Sequence, residues 1–272
     1  YHVEFDPDVP GRMYAAASSR HDIPNWTHTD ANTPQHQGGV VVSDDFGKTW
    51  RVLGTGLPKL PCTWVCLDPK SPKDSRTLYA TLYEGGVYKS TDGGETWTAK
   101  SQGLGNPGNL HVFMLQLHPV TGELYCGITA QRVQEGNRGT FPVAGGLWKS
   151  ADGGETWTDL TRDLKLHWCN SFAVHPTDPN TIYLTAATIP AGPEGGVYKT
   201  TDGGESWEHV MKDEDFARTG APGFVHAMYI SLQPGDPDRV YVGTITHGLW
   251  RSADAGKTWQ RFGTFPFGPV CN

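Results

Sequence analysis

Five copies of one eight-residue pattern constrain this chain more than any other feature of its sequence. Each copy has Ser or Thr first, Asp third, Gly fifth and Trp last, as in SADGGETW. The copies begin at Ser43, Ser90, Ser150, Thr200 and Ser252, so their spacing runs from 47 to 60 residues. A regular spacing of this size indicates a fold built from one structural unit repeated along the chain.

The residues around each copy predict four short strands per repeat. In the second repeat, a first strand ends in a proline turn (VCLDPKSP, 65–72), a second carries Tyr (LYATLY, 78–83) and a third opens on Gly (GGVYKS, 85–90). The fourth begins at the Trp of the pattern. Alternating apolar residues between such turns predict an antiparallel meander. We therefore expect an all-β chain, a β-propeller of five four-stranded antiparallel blades within a single domain or propeller segment, residues 1–272. The predicted blades are residues 1–57, 61–101, 110–161, 168–211 and 225–263, with approximate bounds.

The eight-residue pattern itself predicts a tight hairpin between the third and fourth strands. Its carboxylate can accept hydrogen bonds from the N–H groups of the turn, and its glycine can adopt a positive φ. Its Trp is expected to pack between neighbouring blades. We therefore predict a structural, not a catalytic, role for the five aspartates of the pattern: Asp45, Asp92, Asp152, Asp202 and Asp254.

These patterns resemble the boxes of the bacterial neuraminidase repeat, or Asp-box, superfamily of β-propellers, and the resemblance covers the whole chain. The superfamily includes sialidases, xyloglucanases, sortilin-type receptors and photosystem II assembly factors, so the resemblance implies a fold more than an activity. The Arg-Ile-Pro signature that precedes the first box of sialidases is absent here, which argues against sialidase activity. Two interpretations of blade number stay open: a closed five-bladed ring, or part of a larger propeller.

Loop lengths single out one end of the blades as the expected ligand face. The Tyr of the second strand and the Gly of the third are 7 residues apart in blades 2 and 5. The same separation is 25 residues in blade 1, 21 in blade 3 and 13 in blade 4. Long loops on a rigid scaffold commonly carry function, and these lie opposite the Asp boxes. Polar, solvated loops are the alternative interpretation. The insertions of blades 1 and 3 offer Trp26, His28, Asp30, Arg132, Glu135 and Arg138.

Residues at the starts of the first strands form a second candidate set. His111 and His226 each lie eight residues before a strand-ending proline, Trp168 takes that place in blade 4, and His247 lies close to this register. Equivalent positions of a radial array converge on its axis, where imidazoles could bind a ligand or transfer protons; a hydrogen-bonded histidine at a strand end is the alternative. The candidate catalytic residues are His111, His226, Glu135 and Asp30. The candidate ligand-binding residues are Trp26, His28, Arg132, Arg138, Trp168 and His247.

Two functions fit this set of residues. A carbohydrate-directed propeller, either glycoside hydrolase-like or glycan-binding, is favoured because the inserted loops mix Trp, His, Arg and carboxylates. A non-catalytic propeller that binds or assembles proteins is the alternative. A glycosidase needs two carboxyl groups ~5 to ~9.5 Å apart. The sequence selects no pair among the carboxylates of the expected face, which are Asp30, Glu84, Glu135, Asp159, Asp163, Asp213, Glu214 and Asp215.

Charge and hydropathy argue against other classes of partner. The net charge of −7, without a basic cluster, disfavours nucleic acid. No apolar run approaches the ~20 residues of a membrane-spanning helix. We therefore expect a glycan or protein ligand on the face of the inserted loops, with no cofactor and no metal motif. No secretion signal is visible in the chain, and the expected location is secreted, periplasmic or at the cell surface.

The five cysteines are too few and too scattered for a disulfide framework. Cys62 and Cys66 are four residues apart in a predicted strand, so we expect both to point to the same face of the sheet. The sequence favours buried, small apolar side chains over reactive thiols.

Overall fold

The described residues of the chain form five four-stranded antiparallel sheets, one for each repeat. The computed structural model describes residues 1–18, 38–105, 108–135, 138–164, 166, 169–187, 195–212, 215, 227–245 and 247–263, with only the backbone described at 132–135, 138–141 and 163. In each sheet the strand order follows the meander that the sequence predicts, so the all-β prediction of four-stranded blades is confirmed.

The strands of the five blades are short, and most hold two to seven residues. Blade 1 consists of β1 (His2–Phe5), β2 (Met13–Ser18), β3 (Gly38–Ser43) and β4 (Arg51–Leu53). Blade 2 consists of β5 (Cys62–Leu67), β6 (Leu78–Leu82), β7 (Gly86–Ser90) and β8 (Thr98–Ala99). In blade 3, β9 (Val112–Leu117) and β10 (Leu124–Ile128) are followed by an inserted hairpin of β11 (Gln131–Glu135) and β12 (Arg138–Val143), then by β13 (Gly146–Ser150) and β14 (Thr158–Asp159). A short 3-10 helix spans Arg162–Leu164. Blade 4 consists of β15 (Cys169–His175), β16 (Asp178–Ala186), β17 (Gly196–Thr200) and β18 (Glu208–Lys212), and blade 5 of β19 (Ala227–Gln233), β20 (Asp236–Thr244), β21 (Leu249–Ser252) and β22 (Gln260–Arg261).

The inserted segment of blade 3 is more regular than a loop. Strands β11 and β12 form a separate two-stranded antiparallel sheet, in which Glu135 pairs with Arg138. The sequence predicted an insertion here but no strands, because its alternation of polar residues and its Gly-rich turn do not point to a buried face.

The chain divides into two compact units. Unit 1 comprises Tyr1–Leu117, Gly122–Ile128 and Trp148–Asp159, and unit 2 comprises His118–Thr121, Thr129–Leu147 and Leu160–Asn272. The prediction of a single domain with the blade bounds given above stays a prediction.

Apolar side chains fill the spaces between successive blades. In unit 1, one buried cluster joins Tyr14, Val40 and Leu53 of blade 1 to Val65 and Leu78 of blade 2. A second cluster packs blade 2 against blade 3, and in unit 2 a third packs blade 4 against blade 5. Burial of these side chains is the main favourable contribution to folding, because each removes apolar surface from water.

A buried ion pair also joins the turns of blades 1 and 2. The Arg76 guanidinium donates to both carboxylate oxygens of Asp6, at 2.6 and 2.9 Å, and to Asp8 at 2.7 Å. Its remaining amino group donates to the Ser71 carbonyl at 2.6 Å. Every polar group of this buried side chain therefore has a partner, as burial of a charge requires.

The prediction that Cys62 and Cys66 face the same side of their strand is wrong. Cys62 belongs to the buried cluster between blades 1 and 2, whereas Cys66 belongs to the cluster between blades 2 and 3. The pairing of β5 with β6 shifts register between Cys62 and Trp64, and one extra residue at such a bulge moves the following side chains to the opposite face. Both thiols are buried, and burial raises the pKa of Cys62 to about 12, so the unreactive role predicted for them fits.

Candidate functional site

A polar cluster lies at the end of blade 2 that is opposite its Asp box. The tight turn between β6 and β7 carries Tyr83 and Glu84, and its closing bond runs from the Gly85 N–H to the Leu82 carbonyl at 2.9 Å. The segment that leads into β9 brings His111 to this turn, where Tyr83 and His111 form an isolated antiparallel bridge. We call these three side chains the Tyr83–Glu84–His111 cluster.

The imidazole of His111 lies between a phenol and a carboxylate. The Tyr83 hydroxyl is 3.1 Å from His111 Nδ1, and the two rings stack with their centroids 4.5 Å apart. On the other side of the imidazole, Nε2 lies 3.7 Å from Glu84 Oε1. The His111 ring is buried, while the Glu84 side chain is partly open to solvent. Such an arrangement holds the imidazole in one orientation and presents a carboxylate beside it.

The backbone on both sides of the cluster is closely constrained. Glu84 has a φ of +66°, a conformation that L-amino acids other than Asn and Asp seldom adopt. The N–H of His111 donates to Asn109 Oδ1 at 3.1 Å, and Asn109 is fully buried. Backbone strain of this kind tends to concentrate at functional sites, where it fixes a side chain in place.

Of the four candidate catalytic residues, the side chain of His111 alone lies within the described part of the chain. Glu135 is in the inserted hairpin, of which only the backbone is described there, and the same holds for Arg132 and Arg138. The other predicted residues of the ligand face lie outside the described residues: Trp26, His28, Asp30, Trp168 and His226.

His247 occupies a buried position in the turn between β20 and β21. Its exposed fraction is 1%, its N–H donates to Thr244 Oγ1 at 3.0 Å, and its carbonyl accepts from the Trp250 indole at 3.2 Å. Its predicted ligand-binding role stays a prediction.

The Asp boxes have one geometry in all five blades. In the box of blade 3, Asp152 Oδ1 accepts from the Thr156 N–H at 2.9 Å and from the Ser150 hydroxyl at 2.7 Å, and Oδ2 accepts from the Thr156 hydroxyl at 2.6 Å. The Ser150 hydroxyl oxygen in turn accepts from the Gly154 N–H at 2.8 Å. Equivalent bonds recur at Asp45, Asp92, Asp202 and Asp254.

These hydrogen bonds account for the charge state of the box carboxylates. The hydroxyl and the N–H of Thr96 both donate to Asp92 and lower its pKa to about 2, and the same groups of Thr49 lower the pKa of Asp45 to about 2. A carboxylate held in its charged form by such donors is a poor proton donor or acceptor near neutral pH. The structural role of the boxes stays a prediction, which this geometry supports.

The described residues give no sign of a metal centre or a membrane helix. Within the ranges given above, no group of three or more His, Cys, Asp and Glu side chains is arranged to hold a metal ion. No helix in that part of the chain is long and apolar enough to cross a membrane.

The sequence pointed to His111 and, less specifically, to Glu84, but it missed their partners. Tyr83 and Asn109 were not among the predicted site residues. One signal was available in the turn of blade 2, where Glu84 precedes two glycines. Glu84 has a positive φ, and stability alone would favour Gly or Asn at such a position, so a Glu there indicates another role. The approach of Asn109 depends on packing between blades and leaves no local signal.

Comparison with known proteins identifies the repeats. Residues 42–53 match the BNR-Asp box repeat family, and residues 88–99 match the BNR/Asp-box repeat family. Each match covers one hairpin, including the whole eight-residue pattern of its blade.

Longer similarities link the chain to much larger proteins. It is 32% identical over 136 residues to the xyloglucanase Xgh74A of Acetivibrio thermocellus, a stretch that covers 45% of this chain and 15% of that protein. Among solved structures, the GH74 enzyme of Niastella koreensis superposes with a TM-score of 0.69 at 20% identity, over 94% of this chain and 37% of that one. The GH74 xyloglucanase of Xanthomonas campestris superposes with a TM-score of 0.65 at 17% identity, over 94% and 36%. The chain thus spans little more than a third of these structures, and such low identities speak to the fold alone.

Proposed function

We propose that this chain, whose repeats match the Asp-box repeat families, is a carbohydrate-directed propeller whose Tyr83–Glu84–His111 cluster binds the hydroxyl groups of a polysaccharide. The observation that carries the proposal is the position of His111, between the Tyr83 phenol and the Glu84 carboxylate. The similarity to a protein named as a xyloglucanase supports xyloglucan as the first ligand to test.

The chemistry of the cluster suits recognition of sugars. A carboxylate accepts hydrogen bonds from sugar hydroxyl groups, and the Glu84 side chain is partly open to solvent. The His111 imidazole beside it can donate or accept, and the buried Tyr83 ring holds that imidazole in place. The cluster also lies at the face where the sequence predicts the inserted loops. Trp26, His28, Arg132, Arg138 and Trp168 remain our predicted ligand contacts on that face.

The cluster favours binding over hydrolysis as its own role. Glycoside hydrolysis generally uses two carboxyl groups ~5 to ~9.5 Å apart, and the cluster supplies one, from Glu84. Hydrolysis would need a second carboxylate, for which Asp30 and Glu135 are the predicted candidates. Action on a polysaccharide also supports a location outside the cytosol, either secreted, periplasmic or at the cell surface.

The first prediction concerns xyloglucan binding. We expect the protein to bind xyloglucan in affinity electrophoresis and calorimetry, and we expect Glu84→Gln and His111→Ala to weaken that binding by about tenfold or more, the effect of losing a hydrogen bond to a charged group. Glu95→Gln is the matched control, because it removes the same charge from the Asp-box end of the same blade.

The outcomes separate the candidate functions. Binding that survives in both variants would remove the cluster from the site. A wild-type protein that binds neither xyloglucan nor other plant polysaccharides would overturn the carbohydrate proposal and favour the protein-binding alternative. A parallel assay for new reducing ends distinguishes hydrolysis from binding, and thermal melting of each variant confirms that it folds.

A further inference from the structure

A repeated contact between a lysine and a tyrosine joins successive blades. In blade 4, the Lys199 ammonium lies over the Tyr183 ring at 5.3 Å. The ammonium and the tyrosine hydroxyl both donate to the Ala255 carbonyl in the box of blade 5, at 2.9 and 3.0 Å. In blade 2, Lys89 lies over the Tyr79 ring at 5.4 Å, beside the box of blade 3. In both joints an ammonium group therefore fills the space between a tyrosine ring and the box of the next blade.

Blade 1 has no basic residue at this position. The residue before the box is Lys or Arg in blades 2 to 5, whereas in blade 1 it is Val42. Val42 pairs with Tyr14 across β2 and β3. The lysine and the tyrosine of blade 4 pair across β16 and β17 in the same way, so the positions are equivalent. An uncharged, shorter side chain thus stands where the other joints have an ammonium group.

A cavity lies in the joint between blades 1 and 2, where the lysine is missing. It has a volume of about 100 Å³, and its lining includes Tyr14, Val42 and Gly93, the fourth residue of the box of blade 2. A Cβ at Gly93 would meet nothing within 4 Å, whereas a Cβ at Gly153 in the next box would lie 3.0 Å from Lys89 Nζ. The space that a lysine fills in one joint is therefore open in the other.

Two polar groups of this cavity have no partner in the described part of the chain. Tyr14 is 2% exposed, and its hydroxyl forms no hydrogen bond with any described residue. No described side chain donates to the Gly93 carbonyl, whereas the equivalent carbonyl of Ala255 accepts two hydrogen bonds. A buried polar group without a partner costs free energy, so a ligand that bonds to both groups is favoured.

The charges around the cavity favour a cation. Its basic lining residues are each paired with a carboxylate, at 2.6 to 3.7 Å: Arg12, Arg51, Lys73 and Arg76. Two further carboxylates of the lining, Asp74 and Asp92, have no basic partner among the described residues. An anion would be repelled by these carboxylates, whereas a cation is attracted. The Glu95 side chain, which also lines the cavity, is 61% exposed, so the cavity is reached from solvent.

We propose that the cavity between blades 1 and 2 binds the primary ammonium group of an alkylamine, in the place that Lys199 takes in the joint of blades 4 and 5. The ammonium lies over the Tyr14 ring and donates to the Gly93 carbonyl and the Tyr14 hydroxyl oxygen. A free amine and a lysine side chain of a partner protein share this chemistry. The site is at the Asp-box end of the blades, so it does not depend on the polysaccharide binding proposed above.

The test is a titration of the whole chain with ethylammonium chloride, followed by NMR and thermal melting. We expect saturable shifts of the Gly93 and Val42 amide signals, with a dissociation constant on the order of 1 to 10 mM, as a ligand of so few atoms allows. The melting temperature should rise with amine concentration, because the ligand binds the folded state. Tetramethylammonium chloride is the control, since it has the same charge but no N–H group to donate.

Val42→Lys supplies the missing ammonium group from the chain itself. We expect this variant to melt at a higher temperature than the wild type and to bind ethylammonium at least tenfold more weakly. Val52→Lys is the matched control, because it adds the same charge at a residue of β4 that is 74% exposed, and it should bind like the wild type. Tyr14→Phe keeps the ring but removes the hydroxyl, and it should weaken binding by about tenfold.

The outcomes decide the proposal. If ethylammonium has no more effect than tetramethylammonium, or binds a folded Val42→Lys variant undiminished, the proposal is overturned. Should Val42→Lys fail to fold, undiminished binding by Tyr14→Phe overturns it instead. Nα-acetyl-lysinamide then distinguishes the sources of the amine. Binding as tight as that of ethylammonium supports a lysine side chain of a partner protein as the occupant, and its exclusion supports a small free amine.

Discussion

Phe46 stands at a position of its Asp box where a side chain is unfavourable. The fourth residue of every box has a positive φ: +62° at Phe46, +59° at Ala255, and +71° to +75° at Gly93, Gly153 and Gly203. A left-handed conformation costs a residue with a Cβ about 1–2 kcal/mol relative to glycine. The Phe46 side chain is also largely exposed, so packing does little to offset that cost.

We therefore expect Phe46→Gly to stabilise the protein by about 0.5–1 kcal/mol, once the greater chain entropy of an unfolded glycine is subtracted from the relieved strain. Denaturant unfolding measures the change. Gly93→Ala is the reverse control, because a Cβ at Gly93 meets nothing within 4 Å and tests the backbone conformation alone; it should destabilise the fold. Equal stability of all three proteins would show that the boxes tolerate this conformation without strain.

At the scale of the element, the Asp-box hairpin depends on one carboxylate. Asp152 accepts from the backbone and the hydroxyl of Thr156 as well as from Ser150. We expect Asp152→Ala to lower the melting temperature by several degrees, because the donors of the turn lose their acceptor, while xyloglucan binding is unchanged. Asp152→Asn retains one oxygen acceptor and should lose less. If Asp152→Ala melted like the wild type but no longer bound ligand, the structural assignment of the boxes would be wrong.

At the scale of the whole molecule, five such carboxylates make the fold sensitive to acid. Hydrogen bonds from Ser or Thr hydroxyl groups hold the pKa of each box Asp below its ordinary value of 3.8, to about 2 at Asp45, Asp92 and Asp254. A lowered pKa in the folded state contributes stability that is present above pH 3.8 and is lost as the pH falls towards 2.

We therefore expect the melting temperature to drop steeply between about pH 4 and pH 2, as the folded boxes take up protons. Calorimetric scans across that range measure the effect. The Asp152→Asn variant serves as the control, since its amide does not titrate and its melting temperature should fall less over the same interval. An identical pH dependence of the melting temperature in variant and wild type would show that protonation of the Asp152 carboxylate does not contribute to acid unfolding.

The sequence by itself determined the four-stranded blades and the position of each Asp-box hairpin. These features are local: Ser150, Asp152, Gly154 and Thr156 lie within seven residues of one another, so their bonds form wherever the pattern occurs. Repetition then predicted the five four-stranded sheets and their strand order without knowledge of any contact between them, but not the separate two-stranded sheet of β11 and β12. The positive φ of the box glycines follows in the same way.

Only the tertiary structure decided which side chains contact one another across strands and blades. The bulge in β5 sends Cys62 and Cys66 into different cores, because a shift of one residue in strand pairing reverses every side chain that follows. The contact of His111 with Glu84 and Tyr83 joins segments of successive blades. Trp50 is far more exposed than Trp97, because blade 1 covers the Trp97 indole. Such contacts form between residues far apart in the chain, where packing and burial set the distance and no short pattern in the sequence records it.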